Sequence, residues 1–112
     1  MILYHITDQG QWTKFISETF YLPAYFEIDG FIHCSTGEQV LTVAEKYYAD
    51  AANLLLIKID GEQLSTEIKY ENLEGGEEKF PHIYGQLNKQ AIVGIATFER
   101  NPQGYFYLPE FL

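Results

Sequence analysis

The chain has 112 residues, 46% of them hydrophobic and 21% charged, and a formal net charge of −9. That length holds one domain, and the composition excludes a disordered chain. Sixteen acidic against seven basic residues oppose a nucleic-acid partner, and a single cysteine excludes both an internal disulfide framework and a multi-cysteine zinc site.

In chain order, Met1-Ile2-Leu3-Tyr4-His5-Ile6 reads as a first strand. It has no basic region followed by a long apolar run, so no signal peptide is expected and a cytoplasmic location is the default. No apolar stretch is long enough to span a membrane, so no membrane partner is expected. Thr7 or Asp8 is placed to cap a helix over about 9–18, in which Trp12, Phe15 and Ile16 share a face. Phe20 to Gly30 reads as irregular and closes on the turn signal Asp29-Gly30. Phe31-Ile32-His33-Cys34 is a second short strand. Ser35 with Glu38, or Thr36 with Gln39, forms a capping box for a helix over about 37–50, where Val40, Val43, Ala44 and Tyr47 repeat at helical spacing. Leu54 to Ile59 is an apolar run of central-strand length. Ile68 to Glu71 is a strand with an exposed edge, and Asn72 to Lys79 a polar loop. Phe80 to Gly85 is apolar but holds a proline, Ala91 to Glu99 is a long strand, and the aromatic tail (Tyr105, Phe106, Tyr107, Phe111) is expected to pack. Two helices among about five strands give an α+β fold in one domain, residues 1–112.

The three histidines, His5, His33 and His82, each sit in a short apolar segment. Strand alternation puts Ile2, Tyr4 and Ile6 on one face and Leu3, His5 and Thr7 on the other. It groups Phe31 with His33 and Ser35, and, if the chain is extended there, Phe80 with His82 and Tyr84. Taken singly, each histidine reads as a buried, hydrogen-bonded core residue. Taken together, all three travel with a hydroxyl two residues on (Thr7, Ser35, Tyr84), which points to one cleft lined by imidazoles and hydroxyls. Three histidines also match the ligand count of a catalytic zinc site, although no two lie within a helical turn, and no metal is assigned. Cys34 faces away from His33 and reads as buried and inert. Ser35, Thr36 and Gly37 expose backbone N–H groups at a helix start, which suits an anion, while simple capping needs no ligand and is on its own the better explanation. Among the loop carboxylates Glu71 is the best general base or ribose partner, because it closes a strand.

Three segments, Leu3-Tyr4-His5-Ile6-Thr7, Gly30-Phe31-Ile32-His33-Cys34-Ser35-Thr36 and Phe80-Pro81-His82-Ile83-Tyr84-Gly85, resemble the small bacterial family called domain of unknown function 952. The resemblance covers about residues 1–97, leaving 98–112 as a C-terminal extension packed on the domain. It implies a fold similar to the ADP-ribosyltransferases, with two small mixed or antiparallel sheets flanking an NAD cleft, and carries no established activity. Tyr4-His5-Ile6-Thr7 and His33-Cys34-Ser35-Thr36 are also similar to elements of the RNA 2′-phosphotransferases, with Ile6 where those have glycine. That likeness implies that His5 holds the NAD ribose and that His33 lies near the nicotinamide ribose or the diphosphate. Those enzymes grip phosphate with several arginines, whereas this chain has only Arg100, so RNA is not an expected partner.

The expectations are therefore as follows. An NAD-using transferase or glycohydrolase-like enzyme would use His33, His82 and Glu71 as catalytic residues. His5, Thr7, Ser35, Thr36 and Tyr84 would bind ligand, with Tyr84 or Tyr4 stacking on nicotinamide. NAD enters as a substrate and not as a resident cofactor. The alternatives are a non-catalytic module for a nucleotide or other small anion, and a histidine metal site.

Overall fold

The computed structural model describes residues 1–15, 20–72 and 76–109. Strand β1 (Ile2–Asp8) leads into helix α1 (Gln9–Phe15). Asp8 caps that helix by accepting the Gln11 backbone N–H at 2.7 Å, and this bond holds its carboxyl below the ordinary range. The expected continuation to residue 18, with Ile16 and the Phe15 side chain, lies outside the described residues. Then come β2 (Phe20–Tyr21), a short helix α2 (Phe26–Asp29), β3 (Ile32–His33) and α3 (Val40–Tyr47). Strands β4 (Leu54–Asp60), β5 (Glu67–Glu71), β6 (Phe80–Tyr84), β7 (Leu87–Asn88) and β8 (Ile92–Thr97) complete the α+β domain.

There are three antiparallel sheets, of order β1-β4-β8, β3-β6-β5 and β2-β7. The last, a ribbon of two-residue strands, is additional to the two sheets expected; so short a pair leaves no alternation to read. α2 likewise corrects the reading of residues 20–30 as irregular. Gly30, at φ 79°, ends it in the left-handed conformation and turns the chain into β3.

The apolar run of β4 is the centre of the first sheet, and both of its faces are buried. Leu55, Ile57 and Ile59 enter one core with Leu3, Trp12, Tyr21, Ile32 and Ile83. Leu54 and Leu56 enter a second with Tyr4, Ile6, Val40, Ala44, Phe98 and Phe106. Complete burial of Leu56, Ile57 and Ile59 stabilises the fold by roughly 1.5–3 kcal/mol each. β1 is buried on both faces in the same way: its alternation sends Leu3 to the first core and Tyr4 and Ile6 to the second, where those two also border a cleft. Ile2, expected in the core, is at the strand end and exposed.

α3 starts at Val40, after a turn at residues 37–39, and Gln39 reaches back to accept the Thr36 backbone N–H at 3.0 Å, the return bond of the expected Thr36–Gln39 capping box. Its C-terminal end is held by Arg100, whose guanidinium donates to the carbonyls of Tyr48, Ala49 and Ala51 and lies over the Phe106 ring. In the tail Phe106 is buried, Tyr105 and Tyr107 are exposed, and Phe111 lies outside the described residues. Among the described residues no helix is long and apolar enough to cross a membrane.

Candidate functional site

The second sheet sets the site through its register. In β3-β6-β5 the Cα partners include His33 with His82, Lys69 with His82, and Glu71 with Phe80. Directly opposed residues share a face, and so do residues two apart. His33, Phe80, His82, Tyr84 and Glu71 therefore project from one face, while Ile32, Ile83 and Ile68 pack behind it against the first core. The proline in β6 does not interrupt it, and Phe80, His82 and Tyr84 alternate together as an extended strand requires.

Each of two histidines on this face is tied to a carboxylate. His82 Nδ1 lies 3.1 Å from Glu71 Oε1, and His33 Nε2 lies 2.9 Å from Asp29 Oδ2. A carboxylate only accepts, so these ring nitrogens carry the hydrogen and donate it. The Tyr84 hydroxyl donates to the same Glu71 oxygen at 2.5 Å. Together these bonds, the tyrosine's foremost, hold the Glu71 carboxyl below its ordinary range, and the Tyr84 phenol is pushed up in return. The two imidazoles are 5.6 Å apart between ring centroids. Phe31 stacks on His82 at 4.1 Å and touches the His33 ring at 4.6 Å, fixing both. The His33 backbone N–H donates to the Tyr25 hydroxyl at 3.0 Å, and burial pushes that phenol up.

Among the described residues the other nitrogen of each ring has no hydrogen-bond partner. His82 is only 5% exposed and its Nε2 has no partner among the described residues. Yet no buried side-chain nitrogen or oxygen there lacks one, so Nε2 opens to solvent. It opens into a cleft of about 440 Å³ whose wall includes Tyr4, Tyr25, Phe31, Tyr47, Tyr48 and Phe80, with Ser35, Asp29 and Glu71. That volume suits a small molecule.

The third histidine is elsewhere. His5 is 1% exposed and does not line the cleft. Its Nδ1 lies 2.7 Å from the His33 carbonyl, its Nε2 3.0 Å from the Tyr21 hydroxyl, and that hydroxyl 2.9 Å from Thr7 Oγ1. The carbonyl fixes the tautomer with hydrogen on Nδ1. Burial lowers its pKa to about 4, so the ring is neutral, Nε2 accepts from Tyr21, and the Thr7 hydroxyl is left to supply the phenol oxygen. Placing His5 and Thr7 on a ligand is therefore corrected: they are a buried network that anchors the backbone of His33. The Tyr4–Ser35 backbone bridge joins the same two segments.

Thr36 is corrected too. It lies outside the cleft wall, and its N–H is already bonded to Gln39. Tyr84 does not line the cleft but holds Glu71. Ser35 is on the wall. Cys34 is buried in the first core, where burial pushes its thiol up, as expected of an inert cysteine. No group of three metal-ligating side chains occurs among the described residues. Asp29, Tyr25 and Phe31 were not read as site residues. Phe31 was findable from its alternation with His33; Asp29 and Tyr25 depend on the short α2 and its turn at Gly30.

The family described as protein of unknown function (DUF952) matches residues 6–95. The chain belongs to that family. The crystal structure of protein CC0527 from Caulobacter crescentus, a structural-genomics target, is similar with a TM-score of 0.82 and 30% identity, over 96% of this chain and 94% of that one. Its solution NMR structure is similar with a TM-score of 0.81 and 30% identity, over 99% and 96%. No protein of curated function matches the chain. Membership in DUF952 supports the α+β domain and brings no activity with it; the ADP-ribosyltransferase likeness rests on the sequence resemblance alone.

Proposed function

We propose that this DUF952 protein is an enzyme acting on a ring-bearing small molecule by general acid–base catalysis, with His82 and His33 as the proton-transferring groups. The observation that carries the reading is the facing pair of histidine–carboxylate couples, each with a free ring nitrogen, beside an aromatic cleft. A carboxylate that accepts one ring N–H orients the imidazole and stabilises its protonated form, while the other nitrogen exchanges a proton with substrate.

Aromatic walls fit a planar base or a nicotinamide ring, so nucleosides and NAD are the substrates to test first. In such a reaction His82 Nε2 takes a proton from water as the water oxygen attacks the anomeric carbon; the carbon–nitrogen bonding pair leaves with the base, and the proton passes from His82 to a nucleoside's departing base or, for NAD, whose nicotinamide leaves neutral, to solvent. No Lys or Arg lines the cleft among the described residues, so phosphate groups gain little there and a nucleoside-sized substrate fits better than a nucleotide.

The test is a panel of nucleosides, nucleotides and NAD, followed by calorimetry and by release of base or nicotinamide. Saturable binding is expected, with release falling at least about 100-fold in His82→Ala. Baseline signals for the whole panel at millimolar concentration would overturn the proposal. Binding without release would reduce the site to a non-catalytic module.

A further inference from the structure

We infer that the cleft selects a small organic cation bearing N–H donors on an aromatic-sized frame. This rests on the proposed function and narrows its ring-bearing small molecule to a cationic one, a class that includes the nicotinamide ring of NAD and excludes a neutral nucleoside. It depends on the cleft being the ligand site and not on any catalytic step.

Three observations converge. First, six aromatic side chains, Tyr4, Tyr25, Phe31, Tyr47, Tyr48 and Phe80, contribute to the wall of one cleft. Aromatic faces carry negative partial charge, and rings gathered round a cavity are a recognised receptor for ammonium-type cations. Second, the charged side chains on the wall are Asp29 and Glu71, both acidic. Two lysines outside the wall are engaged on rings, and the Lys69 charge also acts on Glu71. Lys46 Nζ lies 5.1 Å from the Tyr47 centroid and Lys69 Nζ 4.8 Å from that of Tyr84, and neither lysine is part of the wall. With neutral imidazoles the cleft is therefore anionic, in a chain of net charge −9 that draws cations towards it.

Third, the nitrogen that opens into this space from His82, a buried wall residue, is an acceptor. In its neutral form His82 gives its ring hydrogen to Glu71, and Nε2 presents a lone pair. A ligand N–H completes that bond, whereas an anionic oxygen meets a lone pair and two carboxylates. The anion expected from the sequence had its basis in the backbone N–H groups after Ser35, and Gln39 has taken that of Thr36.

A charge series on one ring tests this: benzylammonium, benzyltrimethylammonium, benzyl alcohol and benzoate, titrated into the full chain by calorimetry with NMR localisation. Benzylammonium is expected to bind about tenfold more tightly than benzyl alcohol, with benzyltrimethylammonium between them because it lacks N–H, and benzoate weakest. Asp29→Asn and Glu71→Gln should each lower benzylammonium affinity about three- to tenfold and leave benzyl alcohol unchanged. Asp29 is exposed, so its variant tests the charge term even if Glu71→Gln disturbs the fold. Benzoate binding as tightly as benzylammonium, a preference that survives both substitutions, or no binding by any probe would overturn the inference. Cation selectivity without turnover of any panel substrate would instead leave it standing and remove the catalytic reading.

Discussion

The two three-stranded sheets treat the same sequence pattern in opposite ways. In each, a histidine sits in a short apolar strand with a hydroxyl residue two positions on. In the first sheet β1 and β4 bury side chains on both faces, with Tyr4 and Ile6 of β1 also bordering the cleft, and His5 on the opposite face is sealed against Tyr21 and the carbonyl of His33. In the second, one face packs on the core and the other lines a cleft, so His82 and His33 keep a free nitrogen each. Alternation says which side chains share a face; whether that face is covered depends on the layer that packs on it.

The comparison breaks most sharply on removal of the rings. His5→Ala removes the ring that bonds the His33 carbonyl and the Tyr21 hydroxyl and opens a cavity, so urea unfolding should show a loss of about 3–5 kcal/mol. His82→Ala, which loses stacking on Phe31, should cost about 1–3 kcal/mol, and the exposed His33 at most about 1 kcal/mol. Equal losses at all three positions would erase the distinction between the sheets.

A smaller effect follows from pH. The pKa of His5 is about 4 in the fold against an ordinary 6.5. The unfolded chain therefore binds the extra proton first. The contribution is full above pH 6.5 and is lost as pH falls towards 4, at about 1.4 kcal/mol per pH unit. Urea midpoints between pH 6.5 and 5 should carry this slope in the wild type and lose it in His5→Gln.

The smallest effect is at Tyr84. Tyr84→Phe removes the hydroxyl that holds Glu71 low, so the Glu71 carboxyl should titrate at higher pH by carbon NMR, with the fold intact. An unmoved carboxyl would show that His82 alone sets it.

How much of this was legible follows from the same contrast. The run at β4, the extended β6 and the Asp8 cap were readable because each depends on local chemistry. Glu71 was readable because closing a strand placed it diagonally from His82 across β5 and β6. The burial of His5 was not, since Tyr21 arrives from a ribbon of two-residue strands without any periodic signal. Asp29 and Tyr25 were missed for a related reason: a four-residue helix has too few positions to show a face. The N–H groups after Ser35 looked open because a capping glutamine and an empty anion cradle have the same local sequence.

Nitrogen NMR of the three imidazole rings from pH 8 to 5, with and without benzylammonium, tests the central claim most directly. The account predicts that His5 stays a neutral Nδ1–H tautomer throughout and ignores the ligand, while the Nε2 signal of His82 shifts on binding. A His5 ring that protonates near its ordinary pKa, or that responds to ligand while His82 does not, would contradict it.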